Sequence, residues 1–262
     1  MAVFFDTHAH LDYPDYAGDL AGVIARARAA GVSKIISIGT DLHGSRRAVK
    51  LAETYDNVFA AVGWHPSNAA DAPGDIRDLF RELARHPRVV AIGETGLDYH
   101  HLPASDVSRY KEKQAEIFQQ QLEVAAEAGL NCVIHQRDAF DDTLARLKPF
   151  AGKVRGVFHC FGETPGRMRE VLEIGGLVSF TGIVTFKNGR NVRDTVAAAP
   201  LDMFMLETDS PYLAPVPYRG GRCEPAYVRE IAEMVARVRQ CPLETLSAAT
   251  CRTAGEFFRK MT

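Results

Sequence analysis

Eight short runs of aliphatic, β-branched or aromatic residues recur along this chain, each followed by a stretch of helical periodicity, and that rhythm narrows the fold more than any other feature. The runs lie at residues 2–6 (AVFFD), 34–39 (KIISIG), 58–63 (VFAAVG), 89–93 (VVAIG), 131–135 (NCVIH), 155–159 (RGVFH), 177–180 (LVSF) and 203–207 (MFMLE). Most are nearly continuous in apolar residues, as strands covered on both faces must be. The intervening stretches carry apolar faces at helical spacing: Phe118, Leu122 and Ala125 share one, and Val228, Ile231, Ala232, Val235 and Val238 share another. Gly31, Pro87 and Gly129 fall where the first, third and fourth helices should stop. The pattern predicts an α/β protein, a single (β/α)8 TIM-type barrel domain across residues 1–262, with residues 243–260 as a C-terminal extra helix. No Pro-, Gly- or Ser-rich linker interrupts it.

A composition of 46% hydrophobic and 24% charged residues supplies enough apolar material for a large core and excludes disordered or collagen-like classes. With 31 basic and 33 acidic residues the net charge is −2, so no positive field exists to hold a long nucleic acid by its phosphates, and any such contact must be local. The opening MAVFFDTHAH turns polar too early for a secretory signal, and no apolar run reaches the roughly 18 residues of a membrane span. Five cysteines form no CxxC pair. Free thiols in a cytoplasmic protein are therefore expected, with no membrane partner and a monomeric or weakly oligomeric state.

The chemistry lies at the strand ends. The first run leads into His8 and His10, the fourth into Glu94, the fifth and sixth end on His135 and His159, and the eighth leads into Asp209. In a (β/α)8 barrel the carboxyl ends of all strands converge on one mouth, so these six side chains should meet there. Taken singly each has a plainer explanation. His135 or His159 could be a hydrogen-bonded core histidine, Glu94 an ion-paired carboxylate, and Asp209 a turn residue before Pro211. All of those explanations would have to hold together, although only nine histidines exist in the chain. A metal centre is the simpler account.

Four imidazoles and two carboxylates exceed what one ion with open positions uses, which points to two divalent ions. Glu94 would bridge them, His8, His10 and Asp209 completing one site and His135 with His159 the other. Imidazoles favour zinc, nickel, manganese or iron, and the carboxylates keep magnesium in play. Such ions attract an anion and acidify water. Asp209 is the expected general base, since a bridging Glu94 has both oxygens engaged, and Glu207, two residues earlier on the same side, should orient a ligand histidine. Arg219 and Arg222 flank two glycines in a loop that could hold a phosphate or stay in solvent. Trp64, Tyr99, Phe161 and Tyr212 adjoin site residues and could stack on bases or pack. Cys160 should turn away from the metals, because consecutive strand residues face opposite ways.

Residues 6–12 (DTHAHLD), 63–66 (GWHP), 91–99 (AIGETGLDY), 159–161 (HCF) and 207–212 (ETDSPY) resemble, in order and spacing, the successive signature blocks of the TatD family of metal-dependent deoxyribonucleases. The resemblance covers nearly the whole chain. It implies a (β/α)8 fold within the amidohydrolase-like group, 3′→5′ exonuclease activity on DNA, and ligand roles for His8, His10, Glu94, His135, His159 and Asp209. It also implies that His65 contacts substrate. The chain departs from the family pattern at Gln136, at Gly162-Glu163, where a hydroxyl is lost and a carboxylate gained, and at Cys223.

The expected function is a divalent-metal-dependent hydrolase, a DNase or phosphodiesterase acting on DNA ends or single strands. The alternative is an ester, lactone or amide hydrolase, including D-aminoacyl-tRNA deacylase-like activity, because the same activated water can attack a carbonyl. A purely binding role would leave the ligand set without purpose.

Overall fold

The computed structural model describes residues 2–261. Eight parallel strands lie side by side in chain order: β1 (Phe4–Ala9), β2 (Val32–Ile38), β3 (Val58–Val62), β4 (Val89–Asp98), β5 (Asn131–Arg137), β6 (Gly156–Phe158), β7 (Leu177–Phe180) and β8 (Phe204–Leu206). Every expected run contributes a strand, and the sheet curls into a nearly closed TIM-type barrel. Helices follow the strands: α1 (Leu20–Ala29), α2 (Leu42–Thr54), α3 (Arg77–Ala84), α4 (Val107–Ala128), α5 (Phe140–Leu147), α6 (Pro165–Glu173), α7 (Arg190–Ala198) and α8 (Val228–Arg239), with α9 (Leu243–Phe257) last. Gly31 (φ 91°) and Gly129 (φ 65°) stop α1 and α4 in the left-handed region that glycine enters without penalty. Among the described residues no helix is long and apolar enough to cross a membrane.

Two apolar layers hold the barrel. The outer one packs strands against helices, where Phe118, Leu122 and Ala125 of α4 and Val228, Ile231, Ala232 and Val235 of α8 are buried as their spacing requires. The inner layer is more informative. Phe59, Val90 and Leu177, near the amino ends of their strands, together with Ile36, Val133, Val157 and Met205 pack against Phe257, Phe258 and Met261. The extra helix α9 thus delivers a plug to the bottom of the barrel, and Asn131 Nδ2 donates to the Phe257 carbonyl at 2.7 Å to fix it. With that end filled, the interior opens at the carboxyl ends.

The seam between β8 and β1 closes differently from the other seven. One isolated bridge, Ala9 to Ser210, replaces a ladder. Side chains do the rest: Thr7 Oγ1 donates to the Leu206 carbonyl at 3.1 Å, and Asp6 accepts from Thr208 N at 2.9 Å and Thr208 Oγ1 at 2.6 Å.

Strand β4 runs past the expected end at residue 93 to Asp98 because glycines let it bend. Its pairing with β5 slips between Ile92 and Thr95, flanked by Gly93 (φ 149°) and Gly96 (φ 139°). Gly96 pairs with His135 so closely that a Cβ there would lie 2.0 Å from the His135 carbonyl oxygen. We predict that Gly96→Ala costs roughly 1–3 kcal/mol from backbone conformation alone, with the clash adding to it. The urea midpoint should fall; an unchanged midpoint would contradict the close approach.

Candidate metal centre

His8 lies within β1, where it is fully buried, and His10 follows one residue past the strand. Two residues apart on extended backbone, their rings turn to the same side, and their Nε2 atoms face each other at 3.3 Å. Asp209 reaches them from the β8 side. Its backbone sits at φ 57°, a conformation aspartate tolerates better than most residues, and its N–H donates to the His8 carbonyl at 2.9 Å. Asp209 Oδ1 then stands 3.6 Å from His8 Nε2 and 3.4 Å from His10 Nε2. Donor atoms of a tetrahedral ion bound at about 2.0–2.1 Å lie about 3.3 Å apart, so this trio has the spacing of one coordination polyhedron.

Glu94 divides the site. Its Oε2 faces His8 at 3.5 Å and His10 at 3.8 Å, while its Oε1 faces His135 Nδ1 at 2.9 Å and His159 Nε2 at 2.7 Å. His135 Nδ1 and His159 Nε2 are themselves 3.3 Å apart. Behind them stand two more carboxylates. Asp98, fully buried, accepts from His135 Nε2 at 3.1 Å, which leaves the Nδ1 lone pair aimed into the site. Glu207 Oε1 lies 3.6 Å from His159 Nδ1, too long for a hydrogen bond, and takes its direct bonds from Cys160 N at 2.6 Å and Ser179 Oγ at 2.7 Å. Its influence on His159 is electrostatic.

The six expected ligands therefore converge, and their chemistry fits divalent ions. Imidazole nitrogens face one another and carboxylate oxygens with no lysine or arginine among them, in three overlapping groups that could each hold an ion. His65 belongs to one such group by position, with Nε2 at 3.4 Å from Glu94 Oε1. Its Nδ1, however, accepts from Ser67 N at 3.1 Å, which puts the proton of the neutral ring on Nε2. In that tautomer Nε2 is a hydrogen-bond donor toward Glu94. Helix α4 locks the loops on either side with two buried amides. Gln121 Oε1 accepts from Trp64 N at 2.7 Å, and Gln114 Oε1 accepts from Asp98 N at 2.9 Å.

Proton affinities reflect this crowding. Burial pulls the His159 imidazole down, but the adjacent Glu94 charge and Glu207 outweigh it and hold His159 well above its ordinary value. Burial likewise pushes Glu94 up, and the His159 charge with the His135 and His159 bonds brings it well below the usual carboxylate range.

A cavity of about 840 Å³ opens over the centre, lined by His10, Tyr13, His65, Glu94, His135, His159, Asp209 and Tyr212, with Gln136, Arg137 and Glu163 on another part of its wall. Gln136 Nε2 donates to Glu163 Oε1 at 3.0 Å, so two departures from the family pattern are in contact. Several residues adjoining the motifs in sequence are not at this cavity. Trp64 is buried in the core with Nε1 donating to the Asn68 carbonyl at 2.7 Å. Tyr99 lies under Lys111, 3.8 Å from its ring, and bonds Asp142 at 2.8 Å. Arg219 stacks over Phe186 at 3.8 Å, and Arg222 pairs with Asp19 at 2.8 Å and Glu224 at 3.0 Å. Cys160, expected to face away, lines the cavity instead, because β6 stops at Phe158 and Cys160 sits in a left-handed turn (φ 46°) where strand alternation no longer applies. Asp98 is the one carboxylate of the centre that sequence reasoning misses, although its spacing of four from Glu94 on one strand is an available signal.

A family model described as TatD related DNase matches residues 5–259. The chain is 40% identical over 258 residues to the uncharacterized metal-dependent hydrolase YabD of Bacillus subtilis, covering 98% of this chain and 99% of that one. It is 36% identical over 252 residues to the 3′-5′ ssDNA/RNA exonuclease TatD of Klebsiella pneumoniae, covering 94% of each. Among solved structures, the TatD homologue YjjV of Escherichia coli K12 superposes with a TM-score of 0.90 at 27% identity, covering 98% of each chain.

The Glu94 and Glu207 carboxylates raise the proton affinity of His159, so an ion bound there would compete with its proton. Calorimetric titration of metal-free protein at pH 7 in buffers of different ionisation enthalpy should register proton release, and metal affinity should rise with pH. Binding with no proton released would mean that His159 is not a ligand.

Proposed function

The chain belongs to the TatD-related DNase family, and from that premise we propose that it is a phosphodiesterase using two divalent ions to remove nucleotides 3′→5′ from single-stranded or frayed DNA ends. The observation that carries this reading is the two-sided placement of Glu94, one oxygen toward His8 and His10 and the other toward His135 and His159. Ions held by these residues would supply Lewis acidity to a phosphoryl group and lower the pKa of a bound water. The metals favoured by the donor set are zinc, manganese or nickel, with magnesium accommodated by the carboxylates. The name of the Klebsiella relative supports a nucleic-acid substrate, and the net charge of −2 favours ends over long duplex.

The protein's own groups divide the work. Glu94 is committed on both oxygens. Asp209 meets His8 and His10 through Oδ1 and lines the cavity, so its other oxygen is free to take the proton of the attacking water. His65, which lines the cavity with its proton on Nε2, would donate to a phosphoryl oxygen. One observation favours the alternative of a carbonyl substrate such as an aminoacyl ester: the Glu163 carboxylate on the cavity wall suits an ammonium group better than a second phosphate.

Elemental analysis of reconstituted protein should find two metal equivalents, and the His135→Ala/His159→Ala double variant about one. Unchanged stoichiometry in that variant would rule out the second site. The reading itself is tested by offering metal-loaded protein end-labelled single-stranded DNA, simple esters and aminoacyl-tRNA in parallel. Mononucleotide release from DNA alone supports it, and ester turnover with intact DNA sinks it. Asp209→Asn should cut turnover by about 10²-fold to 10⁴-fold while the fold and at least one ion survive. Near-wild-type turnover with both ions bound would place the base elsewhere, with His65 next in line.

A further inference from the structure

With a net charge of −2 the protein offers a nucleic acid no overall positive field, so aromatic surface beside the candidate metal ligands is a further source of binding free energy. Large apolar side chains left exposed include Val3, Val107, Tyr212, Val216 and Tyr218. Of these Tyr212 lines the metal cavity, and it is 53% exposed.

Its position is fixed. The Tyr212 N–H donates to the Asp209 carbonyl at 2.9 Å, and Cys223 N returns to the Pro211 carbonyl at 2.9 Å, so the ring is tied to the turn that presents a metal ligand. Its ring contacts within the protein are edge-on, to His10 (centroids 6.3 Å, 69°) and Tyr13 (6.2 Å, 82°). No other ring among the described residues lies parallel against it. The other aromatic candidates are engaged. Tyr218 stacks on Tyr227 at 4.0 Å and 7°, Tyr13 on His10 at 4.7 Å and 24°, Tyr99 is covered by Lys111, and Trp64 and Phe161 are buried.

On the reading that the substrate is a phosphodiester of nucleic acid, we infer that Tyr212 is the stacking platform for the nucleobase adjoining the scissile phosphate. The subsite tolerates any base, since every base offers a π face to an aromatic ring. It also accounts for how a nearly neutral protein would hold a short single strand, by one stacked base beside the His and carboxylate cluster rather than by a row of phosphates.

The test compares wild-type, Tyr212→Ala and Tyr212→Phe proteins on a dithymidine monophosphate and on the same compound with an abasic spacer replacing one base. Wild type should prefer the base-bearing compound in kcat/KM, and Tyr212→Ala should reduce that preference by about tenfold to hundredfold, mostly through KM. Tyr212→Phe, which keeps the ring, should retain the preference. A binding readout that needs no turnover is the fluorescence of a 2-aminopurine dinucleotide added to metal-free protein, which should be quenched by wild type and less by Tyr212→Ala. Equal losses on both compounds with unaltered quenching would overturn the subsite alone. A wild-type protein that cleaves neither compound would sink the nuclease reading and the subsite with it.

Discussion

A buried carboxyl group outside the candidate metal groups ties this structure together. Asp6 accepts hydrogen bonds from Thr208 N, Thr208 Oγ1 and His8 N, all without solvent. The barrel needs them because β1 and β8 are the last strands to meet and, among the described residues, share only the Ala9–Ser210 bridge as sheet pairing. Leaving those donors unpaired in the interior would cost about 1–3 kcal/mol each. The same bonds join the strand that carries His8 to the segment that carries Asp209. Closure of the barrel therefore also brings His8 and Asp209 together.

The rest of the cluster depends on charge. Glu94, Asp98, Glu207 and Asp209 converge with histidines as their ion-pair partners, and no lysine or arginine reaches them among the described residues. Buried carboxylates that lack fixed cations must be balanced by protons on the imidazoles or by bound metal. That balance explains why burial, which pulls His159 down, is outweighed by Glu94, so that the proton affinity of the ring is raised. The plug from α9 keeps the opposite end of the barrel apolar, so it is at the polar mouth that such a cluster meets solvent.

Much of this is legible along the chain. The strands stand out because parallel strands covered on both faces must be nearly continuous in Val, Ile, Ala and Phe, and the ligands stand out because the fold sends every strand end to one mouth. Adjacency in sequence is a poorer guide, because sequence neighbours need not share surroundings. Trp64 adjoins His65 yet points into the core, Tyr99 adjoins Asp98 yet lies under Lys111, and Arg219 rests on Phe186. Cys160 defies the expected alternation because β6 ends two residues before it. Asp98 escapes a reading that ends β4 at residue 93, since only the bend at Gly93 and Gly96 carries the strand on to it.

By itself the sequence determined the order of the elements, the barrel and the identity of the six converging side chains, because these follow from local periodicity and a topology with one mouth. The tertiary structure decided what depends on atoms distant in the chain. It set the tautomer of His65 through Ser67, the orientation of His135 through Asp98, and the division of Glu94 between two groups of histidines. It also decided which aromatic ring keeps a free face. Such features are fixed by hydrogen bonds and packing between segments that no periodicity relates, so they exist only once the barrel has closed.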